Sequence, residues 1–168
     1  MSLLLRPGIR PEHASMLTLV MGMAVADAIN ELMDDSLAGI KWPNDVVLKG
    51  KKVSGTLTEM SAEMDCIHYV VIGTGINVNT QKFPEELNQA TSLRLTTGRN
   101  FRRAELIALC MKYFEKYYGL FEETEDLSLL TDEYNRLLVN QNQEVRVLEP
   151  ENEYTGLALG INNQGELL

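Results

Sequence analysis

Lysine, asparagine and aspartate fall within five residues at Lys41-Trp42-Pro43-Asn44-Asp45, around one aromatic and one proline. Proline fixes the backbone, so Asn44 and Asp45 leave an extended segment in a set direction. Such a group suits a nucleotide phosphate: Lys41 for the phosphate oxygens, Asp45 for a magnesium ion, Asn44 as an adaptable hydrogen-bonding partner. The plain alternative puts Trp42 in the core and makes Asn44-Asp45 an Asx turn. A second group is Lys49-Gly50-Lys51-Lys52, followed by Val53-Ser54-Gly55. Lys49 and Lys51 read as a solvated hairpin tip. Lys52 instead begins a strand, and a glycine inside that strand marks close approach of a ligand; a lysine beside it is placed for a carboxylate or phosphate. The third group, Gly73-Thr74-Gly75-Ile76-Asn77, reads as a strand end. Val78 stands where a dinucleotide fingerprint needs glycine or alanine, and the following segment reads as loop, so that explanation fails. The glycines leave room for a ligand beside the backbone, and the Asn77 amide has the paired donor and acceptor that an adenine edge requires. A simple Gly-Asn turn is the alternative.

These groups need strands to hold them. Ser2–Arg6 is a short apolar run closed by Pro7-Gly8, and Pro11-Glu12 opens a helix whose apolar stripe runs through Leu17, Val20, Met21, Ala24, Ala28 and Leu32 to Asp34-Asp35. Ile40–Trp42 and Val46–Leu48 are extended around the Pro43 interruption. Val53–Met60 and Ile67–Ile72 then read as adjacent antiparallel strands, the second buried and ended by Gly73-Thr74-Gly75. Beyond a polar stretch containing Pro84, Asn100 caps a helix to about Glu122, with Leu106, Ile107, Cys110, Phe114, Tyr117, Tyr118 and Phe121 as its buried stripe. A further helix spans about Leu127–Leu138. Short strands follow at Gln143–Leu148, Tyr154–Ile161 and Glu166–Leu168, separated by Pro150-Glu151-Asn152 and Asn162-Asn163-Gln164-Gly165.

Composition sets the limits. The 168 residues are 45% apolar and 23% charged, enough for one ordinary core and its surface. The net charge of −9 lies wholly in Glu115–Leu168, where three basic residues face twelve acidic ones. A chain with that balance is no nucleic-acid binder, and an anionic ligand belongs in the neutral first two thirds. The uncharged Ala14–Ala26 stretch is shorter than the roughly 20 residues that span a bilayer. Cys66 and Cys110 form no disulfide framework and read as buried hydrophobes of a cytoplasmic protein.

Taken in order, Lys41–Asp45, Lys51–Glu59 and Gly73–Asn79 closely resemble the biotin protein ligases, also known as biotin–[acetyl-CoA-carboxylase] ligases or holocarboxylase synthetases. Ser2–Pro7, Leu17–Ala28, Tyr134-Asn135, Gly156–Ile161 and Gly165–Leu168 extend the resemblance over nearly the whole chain. It implies an α/β (α+β) fold. A mixed, largely antiparallel sheet with flanking helices, like that of class II aminoacyl-tRNA synthetases, would occupy residues 1–140, and a truncated SH3-like β-module residues 141–168. It implies two adenylyl-transfer steps. Biotin is activated by ATP to biotinyl-5′-AMP, then passed to a lysine of the biotin carboxyl carrier protein domain of acetyl-CoA carboxylase or a related carboxylase. On that resemblance Lys52 is the catalytic lysine that bridges the biotin carboxylate and the α-phosphate. Gly55, Leu57 and Gly73 join it in the biotin pocket, Asn77 holds adenine, and Lys41, Asn44 and Asp45 serve the phosphates and Mg2+. A homodimer joined at sheet edges is a further implication. The family's glycine- and arginine-rich ligand loop has no counterpart upstream of Ser2, which implies a shortened core with impaired activity of its own. A lipoate-ligase-like acyl ligase and a non-catalytic nucleotide- or biotin-binding dimerising module are the alternative readings.

Overall fold

A computed structural model describes residues 1–35, 37–64, 66–148 and 153–168; the Pro150-Glu151-Asn152 turn expected from the sequence lies outside the described residues. Seven strands and four α-helices follow in order: β1 (Ser2–Leu5), α1 (Leu17–Met33), β2 (Ala38–Lys41), β3 (Asp45–Leu48), β4 (Lys51–Glu63), β5 (Cys66–Ile76), α2 (Leu93–Thr97), α3 (Arg103–Thr124), α4 (Thr131–Leu137), β6 (Gln143–Leu148) and β7 (Glu153–Ala158). A five-stranded sheet in the order β1-β5-β4-β3-β2 carries the first three groups of sequence interest. All its strand pairs are antiparallel; parallel bridges from Ile40 to Leu138 and from Lys52 to Ala90 add the mixed character.

Helix α1 lies against this sheet with α3 on its outer side. The sequence pattern suggested one apolar stripe, yet Leu17 and the run from Leu19 to Ile29 are all buried, because sheet and helix cover α1 from opposite sides. Together with the preceding 3-10 turn the helical run covers Pro11–Met33, 23 residues. Length and composition alone would let it cross a membrane, which corrects the reading of this stretch as too short. Its burial makes it the core helix of this domain. The one buried acid on α1, Asp27, accepts a hydrogen bond from the Tyr117 hydroxyl and pairs with Arg136, tying α1 to α3 and α4. Burial, with the Asp27 hydrogen bond next, pushes the Tyr117 hydroxyl well above its ordinary range.

Other expectations shift. The Pro43 interruption is a hairpin turn, since Lys41 pairs with Asp45 across it. The second hairpin, at Lys49-Gly50, has positive φ at both residues (49° and 78°), the geometry that suits a tight two-residue turn. Gly73 and Gly75 lie inside β5, which runs on to Ile76. Asn100 does not cap α3; Arg102 occupies the N-cap without a side-chain bond, and Asn100 accepts from the Arg94 guanidinium. Ile107 is exposed, outside the α3 stripe, while Cys110, Phe114, Tyr117 and Phe121 are buried. Cys110 is buried as expected, and desolvation pushes its thiol up to about 12; Cys66 is exposed, because it opens β5 at the hairpin end of the sheet. Strands β6 and β7 form a separate two-stranded sheet. The last residues return to the main body: Ile161 is buried and bonds Asn135, and the Leu127 amide donates to the Asn163 carbonyl. The expected third strand reduces to a bridge between Ile161 and Leu167.

Candidate active site

Directly opposed residues in antiparallel strands project from the same face, so register alone assembles the site. Lys41 opposes Asp45, Asp45 opposes Gly55, and Gly55 opposes Gly75. Two residues along β4, Leu57 opposes Gly73, which in turn opposes Ser2. These two rows share the sheet face turned away from α1. On the other face Thr58 receives a hydrogen bond from Thr18 of α1 at 2.8 Å, and Thr56 and Thr74 are buried.

Lys52 reaches the open face through a bulge. Val46 opposes Ser54 but Val47 opposes Lys52, so Val53 is an extra residue and its side chain is buried. Bulges re-aim the neighbouring side chain, and here the Lys52 ammonium comes to 2.5 Å from Asp45 Oδ1. Gly55 makes this contact feasible. A Cβ there would lie 3.1 Å from Lys52 Cε and Nζ and 3.4 Å from Asp45 Oδ1. Gly73 and Gly75 differ in kind, because a Cβ at Gly73 would meet only the Leu57 carbonyl at 3.7 Å and one at Gly75 would meet nothing within 4 Å. Nothing in the protein's own packing requires glycine at either position, so the bare strip they leave is room for something else.

A cleft of about 540 Å³ opens at this strip, lined by Lys52, Ser54, Gly55, Gly75, Ile76, Asn77, Phe83, Leu87 and Ala90. The Asn77 backbone is committed, its N–H to Val53 and its carbonyl to the Leu93 amide, while no hydrogen bond among the described residues engages its carboxamide. The apolar wall of Phe83, Leu87 and Ala90 was missed in the polar stretch of sequence. The four-residue spacing of Phe83 and Leu87 was its only signal. That segment is pinned to the site by two backbone bonds of 2.8 Å, from Lys52 N–H to the Gln89 carbonyl and from Thr91 N–H to the Lys52 carbonyl. A smaller depression of about 160 Å³ adjoins along β4, lined by Leu57, Gly73, Ser2, Glu59 and Val71.

Lys52, Gly55 and Asn77 therefore meet in one cleft and Leu57 and Gly73 in the next, with Asp45 on the Lys52 ammonium. Lys41 is exposed at the end of β2 and lines neither. Asn44 is turned back on the sheet, its side-chain amide donating to the Thr56 carbonyl while its backbone carbonyl accepts from Thr56 N–H. It lines a different cavity of about 560 Å³ with Trp42, Pro43, Thr58 and the Gln164–Leu167 segment. That cavity has no lysine or arginine in its wall, whereas the Lys52 cleft offers an ammonium. For magnesium the donor set is thin: among the described residues no cluster of three or more His, Cys, Asp or Glu side chains is placed to hold a metal. One carboxylate, Asp45, fits a magnesium ion that takes its other oxygens from phosphates and water.

An ammonium beside a carboxylate, a glycine-floored sheet face and an apolar cleft with an unengaged amide offer complementary chemistry to an anionic ligand with a flat, hydrogen-bonding ring. The biotin/lipoate A/B protein ligase family matches residues 1–77. The bifunctional ligase/repressor BirA of Bacillus subtilis is 41% identical over all of this chain and 52% of its own length, and that of Escherichia coli is 31% identical over 94% and 49%. The chain thus spans about half the length of these curated relatives. The apo biotin protein ligase of Aquifex aeolicus superposes with a TM-score of 0.85 at 32% identity, covering 99% of this chain and 72% of that one. The same enzyme in complex with biotin and ATP gives 0.83 at 30% identity, covering 99% and 68%. The chain belongs to the biotin protein ligase family.

Proposed function

We propose that the protein carrying this chain is a biotin–protein ligase, activating biotin with ATP and passing it to a lysine of a biotin carboxyl carrier domain. The observation that carries this reading is the Lys52 ammonium held over Gly55 in the cleft that also contains Asn77, with a depression floored by Gly73 further along the same sheet face. The Aquifex relative was solved with biotin and ATP together, two ligands that would fill two adjoining hollows. On this reading the biotin carboxylate and the α-phosphate of ATP meet at Lys52. The carboxylate oxygen attacks phosphorus, the bond to the pyrophosphate oxygen breaks, and negative charge grows on the phosphoryl oxygens. A fixed ammonium at that point stabilises the transition state more than the ground state. In the second step the amine of the acceptor lysine attacks the acyl carbon, loses a proton and releases AMP.

Gly55, Gly73 and Leu57 floor the biotin side, and Asn77 pairs with adenine against Phe83 and Leu87. Lys52 and Asp45 serve the phosphates, and Asn44, its side-chain amide bonded to Thr56, fixes the turn that presents Asp45, with Lys41 exposed at the sheet edge beside it. Magnesium, arriving with the nucleotide, would find its protein ligand in Asp45 and would offset phosphate charge there. We assign residues 1–140 to the catalytic domain and 141–168 to a small C-terminal β-module, and place the protein in the cytoplasm, where its two free thiols persist. The β4 edge beyond Gly55 has no β3 partner, and a second copy pairing there gives a homodimer.

Calorimetry with biotin, with ATP and with both tests the function. Heat from the pair beyond the sum of each, with pyrophosphate released, is the expected result. Pyrophosphate release with lipoate in preference to biotin, or nucleotide binding indifferent to biotin, would overturn it.

A further inference from the structure

The turn containing Trp42 is gripped from the far end of the chain. Its indole N–H donates to the Gly165 carbonyl at 2.8 Å and its backbone N–H to Asn140 Oδ1 at 3.2 Å. The turn that presents Gly165 is stiff in its own right. Asn162 Oδ1 accepts from the amides of Gln164 and Glu166, both at 3.0 Å, and the Asn162 amide donates to the Glu166 carboxylate. Gly165 has φ 80°, and a Cβ there would lie 2.8 Å from Leu19 Cδ2 and 3.1 Å from Leu127 Cδ1, so the turn sits hard against α1. On its inner side the Trp42 turn continues into Asn44, which bonds both backbone groups of Thr56, and then into Asp45, which holds Lys52.

We propose that the Asn162–Glu166 turn, through the Trp42 indole and the Asn44 clamp, is a positioning element for the Lys52–Asp45 pair. Trp42 is then a positioning residue, acting on the reaction through Asp45 and touching no reactant. A turn more than a hundred residues away in sequence thereby sets where the ammonium stands. The consequence for turnover rests on the ligase reading; the mechanical link does not.

The test variant is Trp42→Phe, which keeps a ring against the core and removes the indole donor. Amide hydrogen exchange reads the link without ligand. The Thr56 amide, bonded to the Asn44 carbonyl, should exchange about tenfold faster in the variant while β1 and β5 amides stay within about twofold. An unchanged Thr56 rate, or acceleration spread evenly over the sheet, overturns the proposal. Kinetics read the consequence: kcat for pyrophosphate release should fall about tenfold with KM for biotin and for ATP within about twofold, and in an Asp45→Asn background the same substitution should add less than about twofold. A full tenfold effect in both backgrounds shows that Trp42 does not act through Asp45. Absence of turnover in the wild-type protein would defeat the ligase reading and leave the exchange experiment as the judge of the link.

Discussion

Replacing Gly55 by alanine separates the chemistry of the site from its stability. The new Cβ would stand 3.1 Å from Lys52 Cε and Nζ and 3.4 Å from Asp45 Oδ1, tighter than ordinary contact for the first two. The crowded atoms are the far end of a flexible side chain, half of it exposed, so Lys52 gives way at little cost to the fold. The lost ion pair is partly solvated and worth about 1 kcal/mol or less. Alanine recovers a similar amount by restricting the unfolded chain, so Tm should change by under about 4 °C. Activity should not survive so well. A fixed charge at a developing oxyanion contributes about 3–4 kcal/mol, or 10²–10³ in rate, and a misplacement of about 1 Å forfeits about 10². Adenylate formation should therefore fall about a hundredfold in Gly55→Ala, read as pyrophosphate release beside a thermal melt. Wild-type turnover, or a loss that only follows a collapsed melting curve, would refute the reasoning.

Asn77→Leu keeps approximate shape and removes the amide; ATP affinity should drop about tenfold or more and the preference for ATP over GTP should shrink, measured by competition binding. An intact preference would show that Asn77 does not read the base. Hydrogen bonding from Arg136 holds the Glu133 carboxyl below its ordinary value of 4.5. A depressed carboxyl stabilises the fold above that value and loses its contribution as pH falls through the lower folded one. Unfolding free energies of wild type and Glu133→Gln in urea should thus differ at pH 7, by less than about 1 kcal/mol given the exposure of the pair, and converge as pH falls below the depressed carboxyl value; a gap that persists or widens in acid contradicts this.

Much of the fold was legible because the sheet's strands alternate in character and are joined by turns with strong local chemistry: Lys49-Gly50 announces its own geometry. The three groups were legible as chemistry, and their convergence follows once β3, β4 and β5 are paired. What the sequence hid was two-dimensional. The extra residue Val53 puts Lys52 on the Gly55 face, and nothing in Val53-Ser54-Gly55 signals a bulge. Asn44 was read as a phosphate partner, whereas its amide bonds Thr56, twelve residues on. The Phe83–Ala90 wall lies in a segment of low periodicity, held by backbone bonds to Lys52 that no side-chain pattern encodes. Helix α1 looked one-sided because periodicity shows the stripe facing the sheet but not the α3 surface that closes over its back.

The central claim is that Lys52 carries the adenylation step. Biotin-dependent exchange of pyrophosphate into ATP, measured on the full-length protein and its Lys52→Ala variant, tests it most directly. The wild type should exchange only when biotin is present, and the variant should lose about 10²–10³ in rate with its melting curve preserved. Exchange at the wild-type rate in Lys52→Ala, or exchange indifferent to biotin, would contradict the account.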